Sequence, residues 1–267
     1  MLKDITLGQY FPGDTVVHRL DARTKIICLI AYIAALFTAK TWLGYALALA
    51  ALVTVSALSR IKPAALLRGL KPLWFIVIFT GAVNALYGTG EPLAEFWIFK
   101  ITESGILQGI RMMLRIMLLV CGTFLLTYTT SPLNLTDAIE SLLSPLKRLH
   151  APVHEVAMMM SIALRFIPTL IEETDRIISA QKARGAAFDT GKLTERARAL
   201  LPLLVPLFVS AFRRADELAT AMECRCYHGG EGRTRMKTPR LAPRDGWAMA
   251  LGALLVLAAA ALRRTGI

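Results

Sequence analysis

Long apolar stretches with almost no charge constrain the fold of this chain more than any other feature. Residues 72–90 and 246–262 hold no charged residue, and residues 26–58 hold one, Lys40. An α-helix that crosses a bilayer needs about 17 to 25 apolar residues, and each stretch is long enough for at least one such helix. A helix also satisfies its own backbone polar groups, which lipid requires. The pattern therefore predicts an all-α integral membrane protein.

Composition supports this prediction. The chain is 55% hydrophobic with a mean hydropathy of +0.52, whereas soluble domains are about 45–50% apolar. Residues 1–25 are polar and turn-rich, unlike a cleavable signal peptide, so the first apolar helix is expected to stay as an anchor. Cys28 and Cys121 lie in apolar runs and Cys224 and Cys226 in a polar one. No disulfide framework is predicted.

Charge between the apolar runs predicts the topology. Residues 59–71 hold four basic residues and no acidic one, which places this loop in the cytoplasm by the positive-inside rule. Residues 89–104 hold three glutamates and one lysine and are expected outside. The amino-terminal segment 1–25 then also lies in the cytoplasm. The five predicted spans are residues 26–40, 42–58, 72–88, 105–130 and 246–262.

Residues 131–245 have a different character. They hold 17 basic and 13 acidic residues, and their apolar residues recur at helical spacing. We expect a cytoplasmic domain of about three helices here, two of them long. The predicted helices are residues 135–149, 152–184 and 194–227, and Pro168, Pro202 and Pro206 are expected to bend or break the two long ones. The predicted organisation is thus 1–25 cytoplasmic, 26–130 four spans, 131–245 cytoplasmic helices, and 246–267 last span and tail.

The two long helices end in similar sequences, 41 residues apart. The matched residues are Asp175, Ala180 and Arg184 in the first and Asp216, Ala221 and Arg225 in the second. Each arginine has small neighbours on both sides, and a glycine follows within four residues. An arginine that merely complements the negative end of a helix is one interpretation. The paired occurrence favours another, in which the five donors of each guanidinium enter a groove of a partner protein.

Four segments resemble the transmembrane T components (EcfT) of energy-coupling factor transporters, which are ABC-type importers of vitamins or metal ions. The segments are residues 8–25, 129–149, 163–185 and 210–227. The resemblance implies a scaffold that transmits the motion of two ABC ATPase subunits to a membrane substrate-binding S subunit. It also implies that ATP and Mg²⁺ bind to the ATPases and that this chain binds no cofactor or metal and catalyses no reaction.

The same resemblance assigns residues to the ATPase contact. Its two coupling motifs correspond to Ala183, Arg184 and Gly185 and to Cys224, Arg225 and Cys226, with Asp175 and Asp216 as possible supporting residues. The second motif departs from the commoner Ala-Arg-Gly by having cysteine on both sides. Cysteine is small and moderately apolar, so docking is still expected.

Two further groups are candidates for contact with a partner subunit. Met158, Met159 and Met160 supply adaptable apolar surface, although core packing is the simpler interpretation for each. Arg111 and Arg115 share one face of the fourth span and are not expected to face lipid. They either orient that helix, by snorkelling or by pairing with the outer-loop glutamates, or they contact a partner membrane protein.

Other functions fit the residues less well. No phosphate-binding loop is present in the sequence, so nucleotide binding by this chain is not expected. A secondary transporter remains an alternative, and a lipid enzyme a weaker one, because only Arg111 and Arg115 resemble intramembrane functional groups. Cys224, Cys226 and His228 could be metal ligands, but they do not make the usual four-ligand zinc set. The net charge of +12 comes without a nucleic-acid-binding pattern.

Overall fold

The computed structural model of the protein describes residues 10–86, 92–96, 99–149, 151–185, 193–229 and 241–265. Within these ranges the chain forms nine α-helices, two 3₁₀ turns and one β-hairpin. The helices are α1 (Ala22–Thr38), α2 (Trp42–Ser59), α3 (Pro63–Leu70), α4 (Trp74–Leu86), α5 (Glu103–Thr129), α6 (Pro132–Leu142), α7 (Val153–Ala183), α8 (Leu193–Glu223) and α9 (Pro243–Thr265). The 3₁₀ turns are Lys71–Leu73 and Ser144–Leu149, and the strands are β1 (Pro92–Phe96) and β2 (Phe99–Thr102).

The chain divides into two compact units, with a boundary inside α6. One unit, here called the helical bundle, contains α1 to α5, the hairpin and α9. The other, here called the long-helix unit, begins at Ile139 and contains α7 and α8. The prediction that residues 131–245 are a separate helical region is close to this division, but their cytoplasmic placement stays a prediction.

Five helical segments of the described residues are long and apolar enough to cross a membrane. They are Trp42–Ser59, Pro63–Leu86, Glu103–Thr129, Val153–Ala183 and Pro243–Arg264. The predicted class, an all-α membrane protein with about five spans, is confirmed. These five segments differ from the five predicted spans in one member. The predicted first span corresponds to α1, which has 17 residues and is shorter than the 18 residues of α2. In its place α7 is long and apolar enough to cross.

Caps explain where the helices of the predicted hairpin begin. The Asp21 carboxylate accepts a hydrogen bond from the Arg23 N–H at the start of α1. The Thr41 hydroxyl accepts from the Gly44 N–H at the start of α2. Such caps satisfy amide groups that have no partner within the helix. The tight turn predicted at Lys40 and Thr41 is therefore confirmed.

Both loops between the predicted spans are more ordered than expected. Residues 59–71 contain α3, and its Leu66 and Leu70 are buried in a core cluster with Leu125 and Tyr128 of α5. Residues 89–104 include the antiparallel strands β1 and β2, followed by the first residues of α5. The short helix packs because its leucines recur at a spacing of four, which places them on one face.

Helices α4 and α5 approach each other closely within the bundle. A Cβ on Gly109 of α5 would lie 2.8 Å from the Gly81 carbonyl oxygen of α4. Gly105 and Gly109 are four apart on α5, and such pairs of small residues let helix backbones approach in membranes. A second cluster joins α1, α2 and α5 through Leu36, Tyr45, Ala48 and Leu118.

A polar network ties together the ends of three helices in the bundle. The Lys25 Nζ donates to the Thr129 carbonyl at 2.8 Å, which joins α1 to the end of α5. The buried Asp245 carboxylate accepts from the Asp21 N–H at 2.9 Å and from the Ala242 N–H at 2.8 Å. The start of α9 is thereby fixed to the start of α1 although Asp21 and Asp245 are 224 positions apart.

Proline does not interrupt the long helices. Pro168 lies inside α7, and Pro202 and Pro206 lie inside α8, yet each helix continues for 31 residues. The expectation that these prolines bend or break the helices is wrong for a break, and a bend stays a prediction. Neighbouring helical turns evidently hold the backbone in spite of the lost hydrogen bonds.

Candidate functional site

A charged pair joins the two long helices. The Arg214 Nη2 of α8 donates to the Glu173 Oε2 of α7 at 2.9 Å, and the Ser210 hydroxyl donates to Glu173 Oε1 at 2.6 Å. The Arg214 guanidinium also lies 5.7 Å from the centroid of the Phe166 ring, a cation–π distance. Both charged side chains are a little over a quarter exposed, so water screens them only in part. We call these four residues the crossing clamp.

An apolar groove next to the clamp shows how the helices run. The groove has a volume of about 270 Å³ and uses residues that precede Glu173 on α7 and follow Ser210 on α8. The part of α7 before Glu173 therefore lies against the part of α8 after Ser210. The two helices thus cross in antiparallel sense. The lining residues are Ile162, Phe166, Leu170, Ala211, Arg214, Ala215, Leu218, Ala219 and Met222.

Antiparallel crossing separates the two candidate arginines. Arg184 lies eleven residues beyond Glu173, and Arg225 lies eleven residues beyond Arg214. At about 1.5 Å per residue each arginine is roughly 16 Å along its helix from the clamp, and the two helices leave the clamp in different directions. The helix ends are therefore up to about 33 Å apart. The direction in which the helices run thus separates Arg184 from Arg225.

The end of α7 is closed by a left-handed glycine. Gly185 has φ +89°, and its N–H donates to the Lys182 carbonyl at 3.0 Å. The Arg184 N–H donates to the Ala180 carbonyl at 3.2 Å. A left-handed residue directly after the last turn ends many helices and satisfies their free carbonyls. Arg184 is thus the capping residue of a well-closed helix end.

The end of α8 has the same construction, with cysteine in place of glycine. Cys226 has φ +56°, and its N–H donates to the Glu223 carbonyl at 2.9 Å. The Tyr227 N–H donates to the Met222 carbonyl at 3.0 Å, which completes a Schellman motif. Cys226 therefore occupies the position that Gly185 occupies in α7. The similarity that the sequence predicts between the two ends extends to the backbone.

The two aspartates of the repeat, Asp175 and Asp216, each accept a side-chain hydrogen bond at the backbone carbonyl. The Ser179 hydroxyl donates to the Asp175 carbonyl at 2.8 Å, and the Thr220 hydroxyl donates to the Asp216 carbonyl at 2.9 Å. Ser179 and Thr220 are themselves 41 positions apart. The possible supporting role of the two aspartates stays a prediction, since these bonds use their carbonyls and leave their carboxylates aside.

Both candidate motifs are at the surface of the long-helix unit. The six residues that are exposed are Ala183, Arg184, Gly185, Cys224, Arg225 and Cys226. Among the described residues, the guanidinium groups of Arg184 and Arg225 make no hydrogen bond or ion pair. Each group is thus available to a partner that offers carboxylate or carbonyl oxygens.

The other predicted arginines have intramolecular partners in the bundle. The Arg115 Nη2 donates to the hydroxyl of the buried Tyr45 at 2.6 Å and to the Ala39 carbonyl at 3.4 Å. The Arg111 Nη1 donates to the Lys40 carbonyl at 3.4 Å. Both arginines therefore fix the turn between α1 and α2 to α5. The sequence suggested an orienting role but not these partners, and contact with a partner protein stays a prediction.

The three methionines differ in exposure. Met159 is 58% exposed and Met160 is 45% exposed, whereas Met158 is half-buried. Two of them thus contribute apolar surface on α7. Their contact with a partner subunit stays a prediction.

Sequence reasoning missed two polar pairs in the long-helix unit. One is the pair of Glu173 and Arg214 in the crossing clamp. The other joins the His154 Nδ1 at the start of α7 to the Glu140 carboxylate at 3.0 Å. The only available signal for the first was its spacing of 41 residues, the spacing of the motifs themselves.

Cys224, Cys226 and His228 do not form a group that could hold a metal ion.

Comparison with known proteins adds to this geometry. Residues 13–236 match the family model CbiQ, described as cobalt transport protein. Proteins named energy-coupling factor transporter transmembrane protein EcfT are similar over most of both chains. That of Ruminiclostridium cellulolyticum is 54% identical over 241 residues, 90% of each chain. That of Acidaminococcus fermentans is 52% identical over 236 residues, 88% of each chain.

A third relative, the EcfT protein of Bacillus subtilis, is 49% identical over 238 residues, which cover 89% of this chain and 90% of the relative. Identity at this level over nearly the full length of each relative requires a common fold. The chain belongs to the CbiQ family and, within it, to the EcfT transmembrane components of energy-coupling factor transporters.

Proposed function

We propose that this protein is the coupling subunit of an ATP-driven importer of vitamins or metal ions. It joins two ABC ATPase subunits to a membrane substrate-binding S subunit and transmits motion between them. The observation that carries the proposal is the pair of alike, exposed, arginine-bearing ends on α7 and α8, which point in opposite directions from one crossing. Two similar ends suit two similar partners.

Each end suits a polar groove on an ATPase. Arg184 and Arg225 lie beyond the last helical turn, and small side chains flank them, so their donors project without obstruction. A guanidinium pairs bidentately with carboxylates and bonds strongly to carbonyl oxygens. We expect the ATPases to supply such acceptors, and to bind ATP and Mg²⁺ themselves, while this chain binds no cofactor and performs no catalysis.

The crossing clamp provides the mechanical link. A helix of 31 residues transmits displacement along its length because its backbone hydrogen bonds resist stretching. When the ATPases close on ATP and move the two ends, the angle between α7 and α8 changes about the clamp. The S subunit responds through the apolar surface of the same helices, which includes Met159, Phe208 and Phe212, all exposed here.

We place α7 and α8 along the cytoplasmic surface of the plasma membrane. Although α7 is long enough to cross, its second half is densely charged, and charges at the centre of a bilayer are costly. The charged residues of that half are Glu172, Glu173, Asp175, Arg176 and Lys182. In this arrangement the amino-terminal segment is cytoplasmic and α1 takes the place of α7 among the five spans.

The decisive test is copurification of the ATPases with Arg184→Glu/Arg225→Glu. We expect this variant to insert normally and to lose the ATPases, because each reversed charge repels the acceptors of its groove. The matched control is Arg165→Glu/Arg213→Glu, which makes the same charge change at exposed positions on the same helices, away from their ends. The control should retain the ATPases. Equal recovery of ATPases with both variants would refute the coupling role.

A further inference from the structure

The two candidate docking ends differ in one chemical respect. At the end of α7 the arginine lies between Ala183 and Gly185, neither of which is chemically reactive. At the end of α8 it lies between Cys224 and Cys226, whose thiols are free and exposed. The backbone of the two ends is alike, so the difference is confined to these side chains.

We propose that the α8 end is a site of reversible thiol modification, in which a low-molecular-weight disulfide forms a mixed disulfide with Cys224 or Cys226 and releases one ATPase contact. The α7 end has no thiol and keeps its contact. This inference rests on the proposed function, since it assumes that Arg225 docks on an ATPase. It makes coupling dependent on the redox state of the cytoplasm through one of the two ends.

The geometry brings an added group directly to the docking arginine. Cys226 is in the left-handed conformation directly after Arg225, and both side chains are exposed at this end of the helix. A glutathionyl group carries two carboxylates, which would pair with the guanidinium next to them. The group would also fill the space that small neighbours leave around Arg225. Docking is then blocked by charge and by volume.

The chemistry is a thiol–disulfide exchange. The thiolate of Cys224 or Cys226 attacks one sulfur of the small disulfide, a new S–S bond forms, and the original S–S bond breaks. The second small thiol leaves as a thiolate and takes a proton from water. The protein sulfur is oxidised and the departing sulfur is reduced, so no other oxidant is needed. An excess of a reduced thiol reverses the reaction by the same steps.

The remaining cysteines of the chain are placed to be inert. Cys121 is 8% exposed, and the half-buried Cys28 donates its thiol hydrogen to the Ala248 carbonyl at 3.4 Å. Both lie in the helical bundle. Exposure controls how readily a thiol is modified, so a water-soluble disulfide is directed to the α8 end.

The test uses the full-length chain in detergent, treated with oxidised glutathione, freed of excess reagent and then titrated with the ATPase pair. We expect intact mass to show an adduct on Cys224 or Cys226 and the apparent affinity for the ATPases to fall at least tenfold. Dithiothreitol should restore it. Cys28→Ser/Cys121→Ala should show the same loss as the parent chain.

Two variants of the α8 end complete the design, each compared with its own untreated sample. Cys224→Ala/Cys226→Gly and Cys224→Ser/Cys226→Ser should show no change of affinity on treatment, whatever their starting affinity. An adduct on the parent chain without loss of affinity would overturn the inference and leave the proposed function standing. An untreated parent chain that binds no ATPase would overturn both.

Discussion

Arg214 donates to Glu173 across the crossing of α7 and α8, and these two residues are separated by the same 41 positions as Arg225 and Arg184. Where two helices cross in antiparallel sense, a contact between equivalent positions of a repeat is the arrangement that a two-fold axis between them produces. The clamp therefore marks an approximate two-fold axis that relates residues 173–185 to 214–226. Each arginine is eleven residues from this axis, so the two ends are presented symmetrically.

The first prediction concerns the clamp. Glu173→Gln and Arg214→Met should each destabilise the protein, and the double variant should lose less than the sum of the two. The coupling energy should be about 1 kcal/mol, because the pair is largely shielded from water and also engages Ser210. Unfolding in detergent, followed for all four members of the double-mutant cycle, measures it.

An ion pair elsewhere in the chain is the control for this cycle. Arg19 and Asp14 are 2.6 Å apart, but both side chains are more than half exposed. Their cycle should show much weaker coupling, since solvent screens the pair. Equal coupling in the two cycles would contradict a structural role for the clamp.

The second prediction concerns the contact between α4 and α5. Gly109→Ala should destabilise the bundle by about 1–3 kcal/mol, because the added Cβ would lie 2.8 Å from the Gly81 carbonyl oxygen and backbone gives way poorly. Gly252→Ala in α9 is the matched control, with its nearest neighbour at 3.6 Å. It should be neutral or stabilising, as alanine favours helix. A harmless Gly109→Ala would mean that the helices are further apart.

The third prediction concerns topology and is tested with single cysteines in a cysteine-free background. Lys40→Cys in the turn between α1 and α2 should react with an impermeant reagent from outside, and Lys62→Cys before α3 from the cytoplasmic side. Both positions are exposed. Labelling of Lys62→Cys from outside would invert the topology.

The same reagent decides where α7 lies. Glu155→Cys and Ser179→Cys are exposed positions near its two ends. We expect both to be labelled only from the cytoplasmic side, because α7 lies along the membrane surface in the proposed arrangement. If α7 crosses, the two cysteines will react from opposite sides.

Helices were predictable here because their signals are local. Apolar runs place α2, α4, α5 and α9 within a few residues of their observed bounds, and α7 and α8 differ from residues 152–184 and 194–227 by at most four residues at any end. The hairpin of β1 and β2 was missed because nine residues of strand, with Glu95 opposite Lys100, give no sustained alternation. α3 was missed because the positive-inside rule predicts the side of the membrane on which a loop lies and does not predict its secondary structure.

The candidate site was predictable at its ends and not at its centre. The repeat around Arg184 and Arg225 is visible in the sequence because it recurs at a fixed spacing. The partnership of Arg115 with Tyr45 is not visible, since it depends on the register in which α5 packs against α2. The antiparallel crossing likewise depends on tertiary packing.

The bond between Asp245 and the Asp21 N–H has a consequence for biogenesis. A ribosome must synthesise everything between these two residues before the first helix can meet its last partner. The long-helix unit is therefore synthesised in full while the bundle still lacks α9. The contact between α1 and α9 can form only after that unit has left the ribosome. A nascent chain that stalls before residue 241 would thus expose both docking ends on a bundle whose α1 has no α9 to pack against.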